Sequence, residues 1–213
     1  MDFDEAGSAG LLLNRLLEGA GTSPLNAEQT KGFEVYLSLF LRWNGRTNLS
    51  SVRDPKRILE RHFVESIVCA RALPDGISTL LDFGSGGGLP GIPIAVCRQE
   101  MHVTLAESQG KKAAFLLEAV RVLGISAKVF AGRAETLDCM FDCVVLRAVE
   151  KMAEAVRIAA GLVVPGGWLG MMTTNGDLPR LSQSAGAEFS WLTDHRLPGS
   201  DDRVFALGHR SVN

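Results

Sequence analysis

The feature that most limits how this chain can fold is the stretch TLLDFGSGGGLPGIP, residues 79–93. An apolar, strand-like run enters it, five glycines and two prolines crowd it, and an apolar, helix-like run leaves it. Glycine reaches positive φ freely and carries no side chain to fend off a ligand. Proline in a first helical turn forfeits no hydrogen bond, because the N–H it lacks has no partner there anyway. A helix beginning near Pro90 would aim free N–H groups and a positive dipole end at the loop. The residues therefore predict a main-chain-lined pocket at the first strand-to-helix junction, suited to a nucleotide-like cofactor.

The rest of the chain supplies the setting. Residues 1–73 read as helical: LLLNRLLEG has helical spacing, and Asn26 with Gln29 forms a capping box. Phe33, Leu37, Phe40 and Leu41 make an apolar stripe, and Asp54-Pro55 is a helix start. Ile58, His62 and Glu65 would share a face of that helix. Beyond Pro74-Asp75-Gly76 the period changes. TLLDF, HVTLAE, AKVFA, DCVVLRA and WLGMMT are strand candidates, with helices at 91–98, 110–123 and 150–162 between them. Strand alternating with helix predicts a parallel sheet covered on both faces. FSWLTDHRL and RVFALGH are separated only by PGSDD, too short for a crossover, and predict an antiparallel pair. The division expected is a helical extension, 1–73, and an α/β domain, 74–213.

Two frames fit the glycine loop. Gly86 to Gly91 satisfies GxGxxG, the dinucleotide fingerprint, but its first glycine lies well past the strand end. Asp82-Phe83-Gly84-Ser85-Gly86-Gly87-Gly88 reads acid-x-G-x-G-x-G, the signature of methyltransferases that use S-adenosylmethionine. An acid at the strand end suits a cationic methionine amino group and repels a pyrophosphate. The candidate residues in this frame are Asp82, Gly84, Gly86 and Gly88. Glu107, closing HVTLAE, can accept hydrogen bonds from a ribose diol, which both cofactor types carry. GRAE, 132–135, follows the third strand and would open on the same crevice, with Glu135 and its main chain near an adenine. Arg147 closes an apolar strand at the same edge; an arginine there is costly to bury unless a carboxylate pairs with it.

Composition excludes some functions. Hydrophobic residues make up 46% and charged residues 22%, enough for a real core. No apolar run approaches the roughly 20 residues of a membrane span, and MDFDEAGSAG lacks a signal peptide's basic-then-apolar order. Neither a membrane partner nor a metal is expected, the location expected is the cytoplasm, and a monomer is expected. Cys69, Cys97, Cys139 and Cys143 have no metal-ligand spacing and read as structural, the last two flanking a strand where a small thiol would be buried. The net charge of −2 argues against a uniformly basic nucleic-acid coat. Residues 42–62 nevertheless hold six basic side chains against Asp54 and Glu60, a local +4.

Taken together, RWNGRTNLSSVRDP…RH, DFGSGGGLPGIP, GKK, GRAE, FD…RAV and PGG occur in an order that resembles the glucose-inhibited division protein B family, over about residues 40 to 172. That family comprises bacterial small-subunit ribosomal RNA methyltransferases. The resemblance implies a Rossmann-like fold with a mostly parallel seven-stranded sheet preceded by helices. It implies methyl transfer from S-adenosyl-L-methionine to guanine N7 in 16S rRNA. Matched positions put cofactor contacts on Gly84, Leu89, Ala134, Glu135 and Arg147, with Glu107 as the ribose acid. The chain departs from the family pattern at Gly45 and Thr47, usually lysine and tyrosine, and after PGG, where MMTTN replaces a stretch that usually holds a lysine.

Guanine N7 already carries an in-plane lone pair, so the reaction needs positioning rather than a general base. No residue is assigned as catalytic. N7 lies in the deep, narrow major groove of A-form RNA, so the target must sit in a loop, a bulge or a flipped state. Two other functions fit parts of the pattern. A nicotinamide-dependent oxidoreductase is opposed by Asp82 and by the lack of a Tyr-x-x-x-Lys pair; a non-catalytic RNA-binding protein would fit the missing lysine.

Overall fold

The computed structural model describes residues 6–192 and 195–212. The strand candidates from the sequence appear as β1 (Thr79–Phe83), β2 (His102–Ala106), β3 (Ala127–Phe130), β4 (Phe141–Arg147) and β5 (Val163–Thr174). They are joined by α5 (Gly91–Cys97), α6 (Gly110–Leu123) and α7 (Met152–Gly161), and a single 3-10 turn (Ala134–Thr136) follows β3. The helical part before them comprises α1 (Ala6–Gly19), α2 (Ala27–Thr47), α3 (Pro55–Ile58), a π-helical turn (Leu59–Val64) and α4 (Glu65–Ala72). The capping box of Asn26 with Gln29 and the Asp54 cap ahead of Pro55 are both formed.

The sheet runs β3-β2-β1-β4-β5-β8-β6, where β6 is Phe189–Trp191 and β8 is Arg203–Arg210. Strands β1 to β5 pair in parallel, while β8 is antiparallel to both β5 and β6. FSWLTDHRL is not one strand: β6 and β7 (His195–Arg196) each pair with β8, which makes eight strands where seven were expected. Thr193 and Asp194, between them, lie outside the described residues. Two further differences concern β5 and α8. β5 begins earlier than its apolar core suggests, because VVPGG joins the sheet through a register shift opposite Phe141 and Cys143. Helix α8 (Leu178–Ala185) was not anticipated, although Asp177 followed by a proline in its first turn repeats the signal read at Asp54.

Strand alternation divides the core between the two faces. Leu80, Cys143, Val145 and Phe205 pack with α1, α2, α4, α5 and α6. Leu81, Phe83, Val144, Leu146, Leu169 and Met171 pack with α7 and α8. Residues before 73 and after 74 share the first of these clusters, so the helical extension is the cover of one sheet face. Cys69 and Cys143 are buried as structural thiols; Cys139 is exposed, because it precedes β4 rather than belonging to it. Among the described residues no helix is long and apolar enough to cross a membrane.

Candidate active site

The glycine loop leaves β1 and curls back over its end. Gly84, Gly86 and Gly88 have φ of 73°, 55° and 80°. A Cβ on Gly86 would meet nothing nearer than the Gly84 carbonyl at 3.9 Å, so its α-carbon faces open space. The opposite side of the loop is packed: a Cβ on Gly88 would lie 2.4 Å from Ile92 Cδ1. The Tyr36 hydroxyl donates to the Gly87 carbonyl at 2.5 Å, fastening α2 to the loop. The carbonyls of Gly84 and Gly86 have no hydrogen-bond partner among the described residues.

Two cavities meet at Gly84 and Glu107. The larger, about 780 Å³, runs from Gly84–Gly87, Leu89 and Glu107 to Ser50, His62, Thr173 and Arg203. The smaller, about 330 Å³, is bounded by Gly132, Arg133, Ala134, Glu135, Ala155 and Ile158. The structure therefore brings Gly84, Gly86, Leu89, Glu107, Ala134, Glu135 and Arg147 to one cleft. Gly88 lies beneath the loop and lines neither cavity.

Asp82 also lies beneath the loop, for a reason visible in the alternation. It shares a face with Leu80, under the start of α5, and is 1% exposed. Its Oδ2 accepts from the Gly91 N–H at 3.1 Å, while Oδ1 has no partner. The start of α5, expected to point at a ligand, is thus occupied by the chain's own carboxyl. Burial, with Glu107 adding, pushes that carboxyl up to about 7 against the Gly91 hydrogen bond.

Glu107 is fixed by two main-chain donors: Gly86 N–H to Oε2 at 2.9 Å and Gln109 N–H to Oε1 at 2.7 Å. A carboxylate has about four lone-pair sites, so both oxygens keep capacity for a diol. Glu135 carries its pair with Arg133 at the mouth of the smaller cavity; the main-chain N–H at Glu135, and then Arg133, hold it below the usual carboxylate range.

The Arg147 side chain turns to the helical cover. Cys143, Val145 and Arg147 alternate onto the face covered by the π turn and α4, and Arg203 reaches the same place from β8. Arg147 Nη2 donates to Glu65 Oε2 at 3.0 Å and to the Arg61 carbonyl at 2.8 Å, and lies 3.1 Å from His62 Nδ1. Arg203 Nη2 is 2.6 Å from Glu65 Oε1. Glu65, 1% exposed, is therefore the carboxylate that makes Arg147 affordable in an apolar strand. Desolvation raises the Glu65 carboxyl and the two arginines oppose it. Sequence reading placed His62 and Glu65 on one face but assigned neither to the site; alternation at Arg147 was the signal that could have joined them.

The strand-end stretch that lacks the family's lysine contributes Thr173 and Thr174 to the larger cavity, with Arg203 opposite Thr174 in the sheet register. The basic segment 42–62 divides. Arg42 pairs with Glu118 and Lys56 with Glu60. Arg57 and Arg61 line an adjoining cleft of about 550 Å³ with Arg15 and Arg203; Arg61 and Arg203 also line the larger cavity.

This strand order, with a glycine loop after β1 and an acid after β2, defines a Rossmann-like methyltransferase. Structures of that class share the fold: a SAM-dependent methyltransferase from Aquifex aeolicus superposes with a TM-score of 0.60 at 13% identity, covering 77% of this chain and 97% of that one. A predicted O-methyltransferase from Agrobacterium tumefaciens gives 0.58 at 20% identity, covering 68% and 80%. The chain belongs to the GidB family, rRNA small subunit methyltransferase G, whose model matches residues 29–187. Relatives named Ribosomal RNA small subunit methyltransferase G include one from Stenotrophomonas maltophilia, 42% identical over 157 residues, covering 72% of this chain and 73% of that one. Another, from Xanthomonas campestris pv. campestris, is 39% identical over 168 residues, covering 78% and 77%.

Proposed function

We propose that the chain transfers a methyl group from S-adenosyl-L-methionine to N7 of a guanine in small-subunit (16S) ribosomal RNA. The observation that carries the reading is the continuous cleft, with Glu107 held by two amides where its two cavities meet. Glu107 would accept from the ribose diol. Ala134 and Glu135 would bound the adenine, and the open carbonyls of Gly84 and Gly86 would accept from the methionine ammonium. Bound there, the cofactor supplies an electrophilic methyl group. The chain's own work is to hold the guanine with N7 facing the far end of the glycine loop and to exclude water. No residue needs to remove a proton, because N7 is already a nucleophile. The environment of His62 fits that: burial and then Arg147 push its ring down to about 3, which makes it a poor base.

The test is methyl incorporation from labelled S-adenosyl-L-methionine into small ribosomal subunits and into naked 16S RNA, with the product mapped by mass spectrometry. N7-methylguanine at one site is the expected result; no incorporation into either substrate, or methylation at another atom, overturns the reading. Calorimetry adds a binding arm. S-adenosylhomocysteine should bind wild type and bind Glu107→Ala about tenfold or more weakly, as expected from losing a charge-assisted hydrogen bond. Tighter binding of a nicotinamide dinucleotide would count for an oxidoreductase instead.

A further inference from the structure

Where the larger cavity meets the adjoining cleft, the charges gathered from four elements do not balance. Arg61, Arg147 and Arg203 surround one carboxylate, Glu65, whose oxygens lie 3.0 Å from Arg147 Nη2 and 2.6 Å from Arg203 Nη2. Among the described residues no other carboxylate pairs with any of the three. The His62 ring beside them, pushed down to about 3, adds no charge. Burial, then repulsion from Arg61 and Arg203, holds the Arg147 guanidinium below its usual range, with Glu65 opposing. Three guanidiniums around one carboxylate leave a surplus of two positive charges, and charge withdrawn from water calls for a partner.

Arg203 is built to hold that partner. Its main chain is tied on both sides: the N–H donates to Ser200 Oγ at 3.0 Å, and the carbonyl accepts from the Leu197 N–H at 2.9 Å. One edge of the guanidinium is fixed as well, with Nε donating to Glu65 Oε1 at 2.8 Å and Nη2 beside the same oxygen. Nη1 keeps two N–H groups that no acceptor among the described residues takes, and the side chain is 27% exposed. Arg147 has no comparable edge: its Nη2 is held by Glu65 and the Arg61 carbonyl, and its side chain is 13% exposed. Val52, Arg61 and Arg203 line both cavities and so form the ridge between them.

We propose that Arg203, with Arg61, grips a phosphate of the RNA strand next to the target guanine. The base then enters the larger cavity while the backbone continues along the cleft of Arg15 and Arg57. The proposal rests on the N7-guanine reading above. A base turned into the larger cavity stays tethered by its sugar and phosphate, and the charged phosphate is held at the rim. Arg61 and Arg203 are the cations that this rim shares with the adjoining cleft. A guanidinium fork matches two phosphate oxygens at once, which a lysine does not. Beyond the ridge the cleft carries Arg15 and Arg57 against Glu60, which lies 3.8 Å from Lys56 Nζ. Arg15 and Arg203 both lie outside residues 29–187, the range that the family model matches. A phosphate contact positions the strand and reads no base. Its loss should therefore weaken RNA binding and raise KM, with kcat little changed.

The test uses 16S RNA, naked or assembled, whichever form is methylated. The RNA carries a neutral methylphosphonate at single phosphates on either side of the mapped guanine. Affinity is read by fluorescence anisotropy with S-adenosylhomocysteine bound. At one phosphate the neutral group should weaken wild-type binding about tenfold or more, and Arg203→Gln should weaken binding of unmodified RNA by a similar factor. The two changes together should weaken it no further than either alone, a coupling that a merely structural arginine would not show. Arg203→Gln should also flatten the slope of log K against log salt by about 0.7. Both Arg203→Gln and Arg203→Lys should bind S-adenosylhomocysteine as wild type does. Arg203→Lys keeps a charge beside Glu65 but loses the fork, and it carries the same comparison if Arg203→Gln fails to fold. N7 methylation by wild type together with additive losses at every phosphate overturns this proposal alone. Wild type that leaves N7 unmethylated overturns the functional reading, and the proposal with it.

Discussion

Tyr36 and Gly87 stand 51 residues apart in sequence, yet the buried tyrosine hydroxyl donates to the glycine carbonyl at 2.5 Å. The ring stacks on Phe63 with centroids 4.8 Å apart, so α2, the π turn and the glycine loop are locked together. Tyr36→Phe keeps the packing and leaves a buried carbonyl without its donor. It should destabilise the protein by about 1–3 kcal/mol in urea unfolding and weaken S-adenosylhomocysteine binding. Unchanged stability would mean that the loop does not depend on α2.

The two sides of the glycine loop should respond oppositely to added side chains. Gly86→Val puts bulk into open space at φ 55° and should keep the fold at a cost of about 1–2 kcal/mol while abolishing cofactor binding. Gly91→Ala places a methyl 2.4 Å from Leu105 Cδ2 and 2.5 Å from Asp82 Oδ2. It should cost more stability for a smaller side chain. Full titration of Gly86→Val with S-adenosylhomocysteine would remove the loop from the site.

Acid should act on the fold through His62. Its folded value of about 3 lies below the ordinary 6.5, so between these values the unfolded chain binds the extra proton. The contribution of His62 is whole above pH 6.5 and is lost as pH falls, at about 1.4 kcal/mol per pH unit. Asp82 runs the other way. Its folded value of about 7 exceeds the ordinary 3.8, so its contribution is lost as pH rises from about 4 to 7. Urea unfolding from pH 6.5 to 5 should cost wild type about 2 kcal/mol more than His62→Gln. Asp82→Asn should remove the opposing decline. A wild-type acid slope in His62→Gln would show that the ring does not titrate on unfolding.

Arg57 and Arg61 should matter for RNA and not for cofactor. With Arg15 and Arg203 they line the cleft beside the larger cavity. Reversing both charges should weaken RNA binding most at low salt and flatten the slope of log K against log salt by about 0.7 per lost single-strand phosphate contact. RNA affinity indifferent to both changes would make them ordinary surface residues.

The elements that place the cleft were legible because their signals are local. The run TLLDF became β1 residue for residue, Glu107 fell just past the end of β2, and Asn26 and Asp54 capped the helices they precede. Helix α8 was legible too, through Asp177 and Pro179 and through the helical spacing of Leu178, Leu181 and Ala185. The split of the FSWLTDHRL stretch into two strands was not, since it follows from how β8 is flanked rather than from composition.

What the sequence determined by itself was the backbone: where strands stop, where glycine must turn, and which acid closes the second strand. These depend on residues a few positions apart and on the conformations each one permits. Only tertiary structure decided the partners. Asp82 went under the loop to Gly91, Arg147 turned to Glu65, and Ser50 met His62. Such pairings join residues up to dozens of positions apart on different elements. Which side chains meet is set by sheet register and by the cover packed on each face, and no local pattern carries that information.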